Sequence, residues 1–227
     1  MCLTRPRPSR RWPSAPRPVD SDYYTDAITY TKVTVLEEFD RTLQRHDGAE
    51  PLARTEDAAA AGFHGEVHVV SRVVGFKKIK FYTGENVGSG ELDLPEQEMH
   101  TTAYWLQLSR VFVDSLPFAG DDRREGTVGL GFALRQVAQL LLMCDRHDIG
   151  LAIHGEDLRP ASTPASAAAL TTEEEEPTIF LYDNYPGCIG FREPLFALHG
   201  RLLTDTRWLI ERCPCETGCP SCVGSVG

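Results

Sequence analysis

Hydrophobic positions along this chain first follow a two-residue period and later a helical one. Residues 28–36, ITYTKVTVL, mix β-branched and aromatic side chains and predict a strand. Residues 40–62 turn polar and alanine-rich, and Gly48 and Pro51 break any long element, which predicts a short helix or a connection. Two β-prone runs follow, 67–74 and 76–82, on either side of Gly75. They read as a strand pair in which the glycine permits a bend or a close backbone approach. After Pro95 a further strand is expected from about Thr101, with Trp105, Leu108, Val111 and Val113 supplying packing.

The period changes after Gly126. Leu130, Leu134, Val137 and Leu141 recur at helical spacing and predict a helix face laid against a sheet, with glycines at its entry allowing close approach. IGLAIHG and TIFLY read as strands, and RPASTPASAAALTTEEEEP, residues 159–177, reads as a surface insertion between them. Asp183, Asn184, Pro186 and Gly187 predict a turn. A last helix is expected to present Phe191, Leu195, Leu198, Leu202 and Leu209, with Pro194 in its first turn. The fold class is therefore α+β. Residues 1–19 are expected to be a disordered Arg/Pro-rich arm, 20–125 a β-rich accessory region, and 126–227 an α/β region carrying the insertion.

Charge narrows the partners. The arm holds five of the 23 basic residues and no acid, which leaves 18 basic against 33 acidic residues, a net charge of −15, for the rest of the chain. Such a body repels a polyanion unless a local basic surface or another chain helps, so an autonomous, tight, nonspecific DNA binder is not expected. Lys77, Lys78 and Lys80, joined by Arg72 across a hairpin, form the densest basic patch after the arm. They are the candidate phosphate contacts, with Phe76, Phe81 or Tyr82 available to stack on bases. The bland alternative is a half-buried strand pair whose lysines solvate one face. No long uncharged apolar stretch and no signal-peptide core are present, so the expectation is a cytoplasmic protein without a membrane partner.

The closing run CPCETGCPSC places Cys213, Cys215, Cys219 and Cys222 at C-x-C-x3-C-x2-C spacing. Four thiolates within reach of one point suit a closed tetrahedral site with no position for water, and hence a structural role. Pro214, Gly218 and Pro220 suit a chain wrapped round an ion. Disulfides are the competing reading, but C-x-C bridges are strained and oxidative stapling belongs to secreted domains. All-cysteine chemistry alone does not separate zinc from an iron–sulfur centre.

Other groups offer weaker chemistry. Cys144, Asp145, His147, Asp148 and His154 invite a second metal site, yet packing and capping at a helix-to-strand turn explain them more simply. His100 opens a strand and reads as a structural hydrogen-bonding group. Asp183, Cys188 and His199 make a nucleophilic site only on paper. GLGF is too weak for nucleotide binding, and no G-x-x-x-x-G-K-[ST] loop or DEAD/DEAH box occurs, so no ATP site is expected in these residues.

VVGFKKIKFYTGE, MHTTAYWLQL, GLGFALRQVAQLLLMCDRHDIG, TIFLYDNYPGCIGF and CPCETGCPSCVG, taken in order, resemble the C-terminal region of MrfA/YprA-like DEAD/DEAH-box DNA helicases. The resemblance covers roughly residues 30–224, with Cys188 standing where YPGGIG carries a glycine. It implies that Cys213, Cys215, Cys219 and Cys222 bind Zn2+. It also implies a non-motor accessory module of an ATP-dependent DNA helicase or repair system. Its implied partners are a separately encoded helicase core and single-stranded or duplex DNA. The alternative is a metal-stabilised protein-interaction scaffold without DNA activity.

Overall fold

The computed structural model describes residues 21–44, 59–154, 176–185, 190, 192–215 and 219. The N-terminal arm, the insertion up to residue 175, Cys188 and Cys222 lie outside the described residues. Among the described residues six strands, β1 (Tyr23–Gln44), β2 (Ala60–Lys80), β3 (Asn86–Glu91), β4 (Gln97–Leu108), β5 (Ile149–His154) and β6 (Thr178–Asp183), accompany four helices. The helices are α1 (Arg110–Ser115), α2 (Gly120–Leu142), α3 (Arg192–Ala197) and α4 (His199–Arg212). The architecture is the mixed β/α one expected. Two compact units divide the chain, one made of the segments up to Thr31 and Val70–Gln97, the other of Lys32–Val69 and Glu98 onward.

In the second unit the strand order is β1-β2-β4-β6-β5, with β6 antiparallel to both of its neighbours. The register sets Trp105 and Ala152 on either side of Phe180, and Leu106 and Ile153 on either side of Ile179. Alternation therefore sorts the side chains onto two faces. Tyr104, Leu106, Ile153, Ile179 and Leu181 pack against Leu134 and Val137 of α2, Leu195 of α3 and Leu202 of α4. On the opposite face Trp105, Phe180 and Tyr182 pack with Phe63, Val67 and Val69 of β2 and Val33 of β1, and among the described residues no helix joins that cluster. Curling of the sheet buries it: β1 and β5 lie at opposite ends of the strand order, yet the Val33 N–H donates to His154 Nε2 at 3.0 Å. Strand twist accumulated over long β1 and β2 makes such closure accessible.

In the first unit β3 pairs antiparallel with the distal part of β2, Gly75 facing Glu91 and Lys78 facing Gly88. The next pair, Ile79 with Asn86, leaves one β3 residue unmatched, a bulge.

Several expectations change. Residues 67–74 and 76–80 are not a strand pair but one continuous strand, with Phe81 and Tyr82 in the turn after it, and Arg72 shares that strand with the three lysines instead of facing them across a hairpin. Gly75 serves close approach, not a bend, since a Cβ there would meet the Gly90 carbonyl oxygen at 2.8 Å. The 40–62 connection is narrower than expected, because β1 runs to Gln44 and β2 starts at Ala60. Val111 and Val113 sit on α1, where Val111 is exposed and Val113 buried, the outcome of helical and not alternating geometry. The helix expected after Gly126 begins at Gly120, and its close-approach glycine is Gly131, 3.0 Å from Ile153 for an added Cβ. The last helix is two, parted at Leu198. Pro177 belongs to the sheet and not to the insertion: it is buried, and its carbonyl accepts the Leu108 N–H at 2.8 Å.

Candidate metal centre

Helix α4 carries the chain to the cysteines. Leu202 is fully buried against the sheet, and Tyr104 from β4 reaches His199, the first residue of α4, with a 2.7 Å contact between Oη and Nδ1. Burial holds the Tyr104 hydroxyl protonated and lowers His199 to about 4, so the contact joins a neutral hydroxyl to a neutral imidazole. The helix thus enters pinned at His199 and leaves at Cys213, whose N–H bonds the Ile210 carbonyl at 3.3 Å.

Cys213, Cys215 and Cys219 converge there, with their sulfur atoms all within 4.8 Å of one another. Cys213 Sγ lies 3.6 Å from Cys219 Sγ and 2.8 Å from Cys215 Sγ, and none of the three is in a disulfide. Metal–sulfur bonds of about 2.3 Å in a tetrahedron set sulfur–sulfur edges of about 3.8 Å. The first separation matches such an edge, and the second is shorter, so that pair must open to take an ion. Thiolates at a helix C-terminus also meet the negative end of its dipole. A cation bound among them offsets that repulsion, and Arg212 in the last turn, stacked on Trp208 at 4.5 Å, adds positive charge beside them. The donor set fits zinc, which Cys213, Cys215 and Cys219 would hold and which would tie the end of α4 to the cysteines after it.

Among the described residues no other group of three His, Cys, Asp or Glu ligands converges. Asp145 accepts both the backbone N–H and Nδ1 of His147, at 2.9 and 2.7 Å, and Asp148 accepts the Asp145 N–H, a self-contained turn. Cys144 has its thiol pushed up by burial and by the Asp148 carboxylate, the opposite of a metal ligand's preference. Asp183 is buried and accepts the N–H groups of Tyr185 and Gly190 at 2.9 and 3.3 Å, which shapes the loop after β6. His199 faces Tyr104, so the two do not form a nucleophilic site. His100 stacks on His68 at 4.7 Å.

The candidate phosphate contacts are not equivalent. Arg72 donates to Asp93 at 2.9 Å and lies 3.9 Å from Glu96, which neutralises much of its charge. Lys78 sits over the Tyr23 ring at 5.1 Å. Alternation along β2 sends Lys77 to the face opposite Lys78 and Lys80. The sequence reading missed Tyr24, whose ring is 5.5 Å from Phe81; the two meet only through strand pairing, and nothing local to either announces it.

An α+β domain that closes on a cluster of cysteine sulfurs is a zinc-binding module of the structural kind. Residues 130–223 match the MrfA Zn-binding domain. The chain is 35% identical over 211 residues to the ATP-dependent helicase YprA of Bacillus subtilis, covering 92% of the chain and 24% of the helicase. A crystal structure of the DUF1998 helicase MrfA bound to DNA is similar at 34% identity and a TM-score of 0.55, covering 92% of this chain and 24% of that one. Another MrfA crystal structure is similar at 26% identity and a TM-score of 0.54, over 88% of this chain and 23% of that one. The chain thus spans about a quarter of the length of the relatives it matches. No helix among the described residues is long and apolar enough to cross a membrane.

Proposed function

We propose that this chain is a zinc-bearing, non-motor module that serves an MrfA/YprA-type DNA helicase in the cytoplasm. The observation that carries this is the convergence of Cys213, Cys215 and Cys219 at the end of α4 inside the matched zinc-binding region. Cys222, three positions after Cys219, supplies the fourth ligand. Phosphoryl chemistry comes from a helicase core, encoded with this region or separately, because no phosphate loop occurs in these 227 residues. Arg72, Lys77, Lys78 and Lys80 provide the phosphate contacts, Lys77 and Lys80 more directly than the ion-paired Arg72. The proposed division at 20–125 and 126–227 is one of function, β-rich accessory region against zinc-binding region, and not one of compact units, since α2 crosses it.

Elemental analysis of the untagged protein tests the metal reading, with about one zinc per chain expected and chelation lowering the melting temperature. Cys219→Ser and Cys222→Ser lower occupancy, while Cys144→Ser leaves it unchanged. Folded protein holding neither zinc nor iron overturns the metal centre. For the helicase reading, DNA titrations are run with and without a YprA-type core. No binding of DNA or core in any combination overturns it and leaves a metal-stabilised scaffold.

A further inference from the structure

The turn between β2 and β3 exposes an aromatic surface that packing does not account for. Tyr82 is fully exposed and has a left-handed backbone, φ 69°, a conformation rarely adopted by bulky side chains. Its neighbour Phe81 is 44% exposed and touches both Tyr82, at 6.4 Å between ring centres, and Tyr24 of β1, itself 48% exposed. The turn is firmly held: Phe81 N–H donates to Asp22 O, Lys80 N–H to Glu85 O, and Gly84 N–H to Lys80 O, at 2.9 to 3.1 Å. Strain fixed by surrounding hydrogen bonds tends to persist where the side chain it displays has a task. Three linked rings in solvent, two of them more than two-fifths exposed beside the fully exposed Tyr82, are costly to leave uncovered.

We infer that Tyr82, supported by Phe81 and Tyr24, is a stacking platform for an unpaired nucleobase of a single strand. This rests on the reading of the chain as a DNA-helicase module and adds the side chains on which a base of the strand would stack. The flanking charge selects this occupant: Lys77, Lys78 and Lys80 precede the turn within five residues of Tyr82 and offer phosphate partners on both faces of β2. Asp22 and Glu85 share the turn, so the net field is weak and backbone attraction alone gives little hold. The rings must therefore supply much of the binding, and a base offers a ring face only when it is unpaired. A duplex, with its bases stacked inside, leaves Tyr82 nothing to cover.

The test measures binding of the zinc-loaded full chain to three probes of equal length at one salt concentration: an oligothymidine, an abasic strand with the same phosphates, and a duplex. Oligothymidine should bind best. Tyr82→Ala should weaken that binding about tenfold, the scale of one lost stacked base, while leaving the abasic strand unaffected. Tyr82→Phe should retain binding, and all three proteins should melt alike because the ring buries nothing. Equal affinity of wild type and Tyr82→Ala for oligothymidine, or equal affinity of wild type for oligothymidine and the abasic strand, overturns the stacking platform and leaves the helicase-module reading standing. Failure of all three probes with and without a YprA-type core overturns both. Tyr82→Gly guards against a backbone artefact: it relieves the left-handed strain yet should lose binding as Tyr82→Ala does, and retained binding would overturn the assignment to the ring.

Discussion

Tyr104 and His199 lie 95 positions apart in sequence and share a 2.7 Å hydrogen bond between two buried side chains. Tyr104→Phe leaves Nδ1 of a buried imidazole without its hydrogen-bond partner, and chemical denaturation should show a loss of about 1–3 kcal/mol. The histidine also sets a pH dependence. Its folded value is about 4 against an ordinary 6.5, so between those two pH values the unfolded chain holds a proton that the folded chain does not. Stability must then rise with pH through that window, by up to roughly 3 kcal/mol, and become flat above it. Denaturation midpoints measured from pH 4.5 to 7.5 check this. A wild-type profile flat below pH 6.5 would contradict the burial assigned to the ring, and His199→Gln should flatten it.

Pairing of β1 with β2 depends on the absence of a side chain at one position. A Cβ on Gly65 would collide with the Glu37 carbonyl oxygen, a backbone atom that cannot swing aside. Gly65→Ala should cost about 2 kcal/mol or more, whereas Gly88→Ala, facing only the flexible Lys78 chain at 3.7 Å, should stay within about 0.5 kcal/mol. Thermal unfolding of the two variants makes the comparison. Helices α2 and α4 depend on a different feature, the apolar stripe through Leu134, Val137 and Leu202. That stripe was visible as periodicity, and for the same reason their helical state was readable in advance.

Across the whole molecule, the insertion tests how the second unit holds together. β5 and β6 pair from Ile149 with Asp183 to His154 with Thr178, so the residues between them close a hairpin whose strands already match in register. Replacing 159–175 with a short Gly/Ser link should leave the melting temperature and zinc content nearly unchanged. Extending the deletion through Pro177 should lower stability, because its carbonyl bonds Leu108. If both replacements abolish cooperative unfolding, the first segment is part of the fold after all.

The sequence by itself determined most of the longer elements and the chemistry of the closing cysteine run. Apolar period is a local property, so helix, strand and the density of thiols could all be read from neighbouring residues. The break at Leu198 and the helical state of Val111 escaped because short apolar segments fit either period. Tertiary structure alone decided which residues meet: the curling that brings Val33 to His154, the acids that take up Arg72, and the pairing of Tyr24 with Phe81. Each is a contact between segments far apart in the chain, and no local pattern encodes a distance that only the folded sheet creates.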